Sequence, residues 1–220
     1  MKILLTAATS KELEPISSSF WKKTETTYAF QQLEITKHIS GVGIASTAYS
    51  LGKIFAIENF DIAIQIGIAG AYQKNCKLGE VYQVLSDRFL YFGAEEDNFV
   101  PISNLNLGLK EDVYYQKFNI NLPLLSLLKK AKAITSQTIH TKESSIEKMM
   151  EIYDNPQLES MEGAAFFYAC KQSNTPCLQI RSVSNYVGKR NKSNWDIDLA
   201  IKELKRKVLQ LLQEISNHKS

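Results

Sequence analysis

Asp61-Ile62-Ala63-Ile64-Gln65-Ile66, followed at once by Gly67-Ile68-Ala69-Gly70, decides the fold class. A short, nearly unbroken apolar run rich in Ile and ended by glycines reads as a strand buried on both faces. Working outward, Ile3 to Ala8 reads as a similar first strand, and Leu78 to Asp87 as another, entered by a turn at Gly79. Ala133 to Thr138 and Pro176 to Ser184 add two more. Between them, Ile44 to Asn59 carries Ala45, Ala48, Leu51, Ile54 and Phe55 at helical spacing. Leu122 to Ala131 reads as a short helix opened by Asn121, with Pro123 tolerated in its first turn. Ser144 to Tyr153, Ser160 to Gln172 and a long amphipathic Asn194 to Ile215 supply further helices. Thr26 to Ser40 alternates loosely and reads as a hairpin turning near Gln31-Gln32, broken by Gly41-Val42-Gly43. Strands alternating with helices, without a linker or repeat, predict an α/β fold. We expect a single domain over residues 1–220 with a central mixed β-sheet flanked by helices. Tyr91 to Asn119 is the least regular stretch and is a candidate substrate-facing loop.

Composition narrows the function. The 220 residues are 44% apolar and 22% charged, with a net charge of +3. That charge is dispersed, which argues against a nucleic-acid partner. The one dense basic run, Lys202 to Lys207, contains Glu203 and reads as a solvated helix face. The apolar run at Ile3-Leu4-Leu5 is too short for a signal-peptide core, and no run is long enough to span a bilayer. A cytoplasmic protein without a membrane partner is expected. Cys76, Cys170 and Cys177 show no paired spacing, so neither a disulfide framework nor a zinc site is expected. His38, His140 and His218 are scattered and suggest no metal cluster.

Ligands of such folds bind where strands end, and four strand ends carry unusual residues. After the first strand, Glu12 and Glu14 suit the positive end of a helix, while Glu12 could equally serve as a general base. Gly67-Ile68-Ala69-Gly70 lets backbone approach a ligand, although a tight turn explains it as well. In Ser160-Met161-Glu162-Gly163-Ala164-Ala165 an acid precedes three small residues. Glu162 could cap a helix or accept from the two hydroxyls of a ribose. Finally, Ile180-Arg181-Ser182-Val183-Ser184-Asn185 delivers an amide able to pair with a base edge, or to form a turn.

In this order, these blocks resemble the nucleoside phosphorylase and nucleosidase superfamily over nearly the whole chain. The resemblance implies that Met161 lies against the sugar, that Glu162 holds its hydroxyls, and that Asn185 meets the purine. It places Ala69 and Gly70 beside the anomeric carbon, and Ile139 and His140 near the base. Phosphorylases of this superfamily hold phosphate with early arginines, whereas this chain has no Arg before Arg88. Glu12 stands where hydrolytic members place the base that activates water, so hydrolysis is implied. Asn185 replaces the Asp of methylthioadenosine/S-adenosylhomocysteine nucleosidases and is typical of members acting on 6-oxopurines. The run Ser184-Asn185-Tyr186-Val187-Gly188-Lys189-Arg190, with Trp195 beyond it, is similar to the futalosine hydrolases, which release hypoxanthine in a menaquinone pathway. Catalytic roles thus fall to Glu12, Glu162 and Asn185. Ala69, Gly70, Ile139, His140, Met161 and Ser184 contact substrate, with Arg190 a candidate for its carboxylate. The resemblance also implies a small-molecule purine nucleoside as the partner, no cofactor, and a homo-oligomer, most often a dimer. Alternatives are a methylthioadenosine nucleosidase, a purine nucleoside phosphorylase, or a non-catalytic nucleoside-binding module.

Overall fold

The computed structural model describes residues 1–72, 75–107, 111–118, 120–188 and 195–218. In chain order the strands are β1 Lys2–Ala7, β2 Trp21–Lys22, β3 Thr27–Phe30, β4 Leu33–Ile39, β5 Ile62–Ala71, β6 Val81–Phe89, β7 Gly93–Glu95, β8 Phe99–Pro101, β9 Val113–Tyr115, β10 Lys129–Thr135, β11 Leu158–Ser160 and β12 Cys177–Tyr186. The helices are α1 Ser10–Ser17, α2 Ile44–Ile57, α3 Pro123–Leu127, α4 Glu143–Ile152, α5 Gly163–Gln172 and α6 Ile197–Asn217.

The period of two along the central strands divides the core in two. Ile3 and Leu5 of β1, with Ile62, Ile64 and Ile66 of β5, join Leu204, Val208 and Leu211 of α6 in one apolar cluster. Leu4 and Ala63 turn to the opposite face and join Leu51 of α2 with Phe166, Phe167 and Cys170 of α5. Both faces are therefore helix-covered, as the continuous apolar runs require. α6 has the matching one-sided pattern. Ala200, Ile201, Leu204, Val208, Leu211, Leu212 and Ile215 are buried, and the Asp196 side chain caps its start by accepting from Leu199 N–H at 3.0 Å.

The main sheet runs β11-β10-β6-β12-β5-β1-β4-β3-β2. β5 is parallel to β1 and β12, and β10 is parallel to β6 and β11. β12 and β6 are antiparallel. β11 returns to pair antiparallel with β5, closing β5, β12, β6, β10 and β11 into a ring. The α/β class with a mixed, helix-flanked sheet is as expected, and no helix among the described residues is long and apolar enough to cross a membrane.

Four local expectations change. Gly67 to Gly70 is not a turn: β5 runs straight through it, because β12 and β11 both pair with that stretch. Only Pro123–Leu127 of the expected Leu122 to Ala131 helix is helical. Its N-cap is Leu122 rather than Asn121, and Lys129 onward pairs with β6 as β10. Ser160 ends strand β11 instead of opening a helix; α5 starts at Gly163. In α2, Ala45 is exposed and Thr47 is fully buried, so the inward stripe is rotated from the one read in the sequence. The hairpin Thr27 to Ile39 turns at Gln31-Gln32 as expected, with Gln31 at φ 54°.

Candidate active site

The closed ring and its neighbour β1 bring the C-terminal ends of β1, β5, β11 and β12 to one cavity of about 280 Å³. Its wall includes Glu12, Ala69, Gly70, Ile139, Met161, Glu162, Ser184 and Asn185, residues separated by as much as 173 positions in the chain. No described residue of the 91–119 stretch lies on that wall. That stretch instead forms the β7–β8 hairpin and strand β9, which pairs with β6. Arg190 lies outside the described residues.

Glu12 comes from the first turn of α1, where the N-cap residue Thr9 donates its N–H and its hydroxyl to Oε2 at 3.0 and 2.8 Å. The other oxygen, Oε1, accepts the Ile68 N–H at 3.1 Å. The helix-start reading and the functional reading are thus compatible: one carboxylate restrains its own helix and still reaches the cavity. Glu162 sits at the N-cap of α5. Its Oε1 accepts the Gly43 N–H at 3.2 Å, and its Oε2 lies 3.6 Å from Arg181 Nη1. Burial raises the Glu162 pKa, and the Arg181 guanidinium and the Gly43 N–H oppose that rise.

Arg181 is the residue that the sequence reading left without a role. It is 2% exposed, in the middle of β12. Nε donates to Gln179 Oε1 at 3.1 Å, Nη2 to Gln65 Oε1 at 2.8 Å, and Nη1 to the Ile68 carbonyl at 3.4 Å. An arginine in an apolar strand must find buried partners, and that alone was a signal of a polar site beneath the sheet. The space for it explains Gly67: a Cβ there would stand 2.4 Å from Arg181 Nη1 and 3.0 Å from Glu12 Oε1. Behind Arg181 the polar chain continues from Gln179 to Asp87, and Asp87 Oδ1 accepts the Thr135 hydroxyl at 2.9 Å. That hydroxyl accepts the Ala164 N–H at 2.7 Å, returning the chain to α5. Burial pushes the Asp87 carboxyl up to about 7, against the opposing pull of Thr135 and Arg181. Gly163 lets α5 approach this carboxylate, since a Cβ there would fall 2.0 Å from Asp87 Oδ2.

At the other end of the cavity, the Ser184 hydroxyl donates to Asn185 Oδ1 at 2.8 Å. This fixes Nδ2 as the donor end beside Gly70, where a Cβ would come within 3.3 Å of it, with one N–H given to the Tyr186 carbonyl at 3.3 Å and a second left to donate. His140 is not on the wall; its Nδ1 lies 3.1 Å from Glu159 Oε2, and Glu159 does line the cavity. Val42, Trp195, Ile197, Ile201 and Lys11 complete an apolar section with one cation, which pairs with Asp198 at 3.6 Å. Among the described residues no group of three or more His, Cys, Asp or Glu is placed to hold a metal ion.

Known proteins share this plan. A futalosine hydrolase of Thermus thermophilus is 29% identical over 208 residues, covering 92% of this chain and 89% of the relative. A 5'-methylthioadenosine/S-adenosylhomocysteine nucleosidase of Colwellia psychrerythraea is 26% identical over 193 residues, covering 79% and 77%. The crystal structure of a nucleosidase of that name from the same organism, in complex with adenine, superposes with a TM-score of 0.80 at 21% identity, covering 97% of this chain and 95% of the other. The family model described as Phosphorylase superfamily matches residues 2–217, virtually the whole α/β domain and every wall residue named above, and the chain belongs to that superfamily.

Proposed function

We propose that this chain cleaves the N-glycosidic bond of a purine nucleoside with water, and that its substrate is futalosine, giving hypoxanthine and dehypoxanthine futalosine. The observation that carries this reading is one cavity holding two buried carboxylates, Glu12 and Glu162, and an amide, Asn185, whose donor end is fixed. The futalosine hydrolase relative supports the choice of substrate.

The chemistry follows from the charges. As the C1′–N9 bond lengthens, positive charge develops on the sugar, and Glu162 offsets it while accepting from the ribose hydroxyls. Carboxylates flanking an oxocarbenium-like centre work the same way in glycosidases. Water adds to C1′, and Glu12 takes its proton. The purine departs with the bonding electron pair, steadied by the Asn185 Nδ2–H, and takes up a proton from solvent to become hypoxanthine, while Glu12 returns its proton to solvent. An amide donates a hydrogen bond without surrendering its proton, which suits hypoxanthine better than adenine, a base that leaves more readily once protonated. Two adjacent carboxylates would repel a phosphate dianion, and Lys11, the cation on the described wall, is paired with Asp198. Hydrolysis is favoured over phosphorolysis on that ground. Trp195, Ile197 and Ile201 offer an apolar surface to a 5′ aryl group, and Arg190 is the candidate for its carboxylate. The reading also carries a homo-oligomer, checked by the molecular mass in solution.

The test is the sugar product formed in the presence of inorganic phosphate. Phosphorus NMR should show inorganic phosphate unchanged and no sugar 1-phosphate, while the proton spectrum shows the free sugar. A stoichiometric sugar 1-phosphate would replace hydrolysis by phosphorolysis.

A further inference from the structure

Glu162 stands at the N-cap of α5, yet its side chain does not cap the helix. An acid at that place ordinarily turns back to accept the N–H of the second or third helical residue. A carboxylate so engaged would be drawn away from the cavity. Two other side chains serve the start of α5 instead. Ser160 Oγ accepts the Gly163 N–H at 3.1 Å, and Thr135 Oγ1 accepts the Ala164 N–H at 2.7 Å. Glu162 is thereby released to meet the Gly43 N–H and Arg181.

Asp87 of β6 stands behind both supports of Glu162. On one side, Thr135 has accepted the Ala164 N–H and gives its single proton to Asp87 Oδ1 at 2.9 Å. On the other, Asp87 Oδ2 accepts Gln179 Nε2 at 3.4 Å, which turns the amide so that its Oε1 faces Arg181 Nε at 3.1 Å. Both carboxyl oxygens accept, as those of an ionised acid do. A proton on Oδ1 would leave the Thr135 hydroxyl without its acceptor. A proton on Oδ2 would face the Gln179 amide nitrogen, itself a donor. Turning that amide over would then set its nitrogen against Arg181 Nε, donor to donor.

We propose that Asp87 is a positioning residue for the reaction. Through Thr135 it caps α5 in place of Glu162, and through Gln179 it orients Arg181, so that the Glu162 carboxylate stays turned into the cavity. This rests on the reading of the cavity as a purine nucleoside site. It gives a use to a buried acid that reaches neither solvent nor the cavity wall.

The experiment first finds which of futalosine, inosine and methylthioadenosine the wild type cleaves fastest. It is run at about pH 8, above the value of about 7 to which burial raises the Asp87 carboxyl. Base release from that nucleoside is then measured for Asp87→Asn, Glu162→Gln and the double variant. Affinity for the released base and thermal unfolding are measured for each. An amide accepts at one end only, so Asp87→Asn must give up one of its two bonds. Its kcat should fall by about 10- to 100-fold, the size of a lost hydrogen bond to a charged group, with base affinity within about 2-fold of wild type. In the Glu162→Gln background the same change should cost less than about 3-fold, because the group it positions is already gone. Thr135→Val should repeat the loss, and Thr135→Ser, which keeps the hydroxyl, should recover most of it. Should Asp87→Asn fail to fold, Thr135→Val carries the same cycle with Glu162→Gln. A folded Asp87→Asn with wild-type kcat, an equal loss in both backgrounds, or a base affinity that falls along with kcat overturns the role of Asp87 and leaves the site standing. A wild type that cleaves none of the three nucleosides overturns the reading of the site as well.

Discussion

The two ends of the cavity are built on different principles. At the Glu12–Glu162 end the groups are charged, buried and cross-braced: Arg181 ties Glu162 to Gln65 and Gln179, and the chain continues through Asp87 and Thr135 into α5. At the Asn185–Glu159 end the bracing is local: the Ser184 hydroxyl and the Tyr186 carbonyl hold the amide, and Tyr72 with His140 the carboxylate. A site that must stabilise developing charge needs oriented charges that cost nothing to reorganise, and these demand deep support. A site that only recognises a base edge needs a few fixed hydrogen bonds. Changes at the first end should therefore damage turnover and folding together, while changes at the second should alter selectivity and leave the fold intact.

Glu12→Gln should strain this comparison most. Turnover should fall by about 10²- to 10⁴-fold, the range for removal of a general base, with hypoxanthine affinity within a few-fold of the wild type. A binding module would show no turnover to lose. Next in size, Arg181→Met leaves Glu162 buried without its cation and should cost about 3–5 kcal/mol of stability in urea unfolding. A loss below about 1 kcal/mol would show that the two ends are equally shallow. Gly163→Ala forces a methyl against Asp87 and should cost about 1–3 kcal/mol.

Asp87 adds a pH test. Its carboxyl is raised from 3.8 to about 7 in the folded chain. Folding favours the protonated form, so the contribution of this group to stability is fully present below about 4 and is lost as pH rises to 7. Asp87→Asn removes that dependence. The stability of the variant relative to wild type should rise across this window, and a constant difference would mean that Asp87 does not titrate there. The smallest effect belongs to the second end. Ser184→Ala removes the donor to Asn185 Oδ1, leaving the Nδ2 bond to the Tyr186 carbonyl at 3.3 Å, and should weaken hypoxanthine binding by about 2- to 10-fold, with stability nearly unchanged.

Much of this was legible in the sequence. The Ile-rich runs gave the buried strands because burial on both faces leaves no alternation to misread. Glu12, Glu162 and Asn185 each had an ordinary reading as a helix start, a cap or a turn, and only their occurrence together, in the order of the superfamily's blocks, singled them out. Other features were hidden. Gly67 and Gly70 left a turn and a close backbone approach equally open because glycine marks both, and only the position of Arg181 and Asn185 in space separates the two. Glu159 was masked by a helix drawn from Ser160, since a three-residue strand such as β11 has no period to detect. The β10 start at Lys129 was absorbed into a helix because Leu124, Leu125 and Leu128 fit helical spacing until the pairing with β6 takes over. Arg181 was visible in its strand, but its partners are up to 116 residues away.

The most direct measurement is base release by the purified chain in phosphate-free buffer, from futalosine, inosine and methylthioadenosine in parallel. The account predicts hypoxanthine from futalosine, far faster than from inosine, and little adenine from methylthioadenosine. Base release that begins only when phosphate is added, or adenine released fastest, would contradict it.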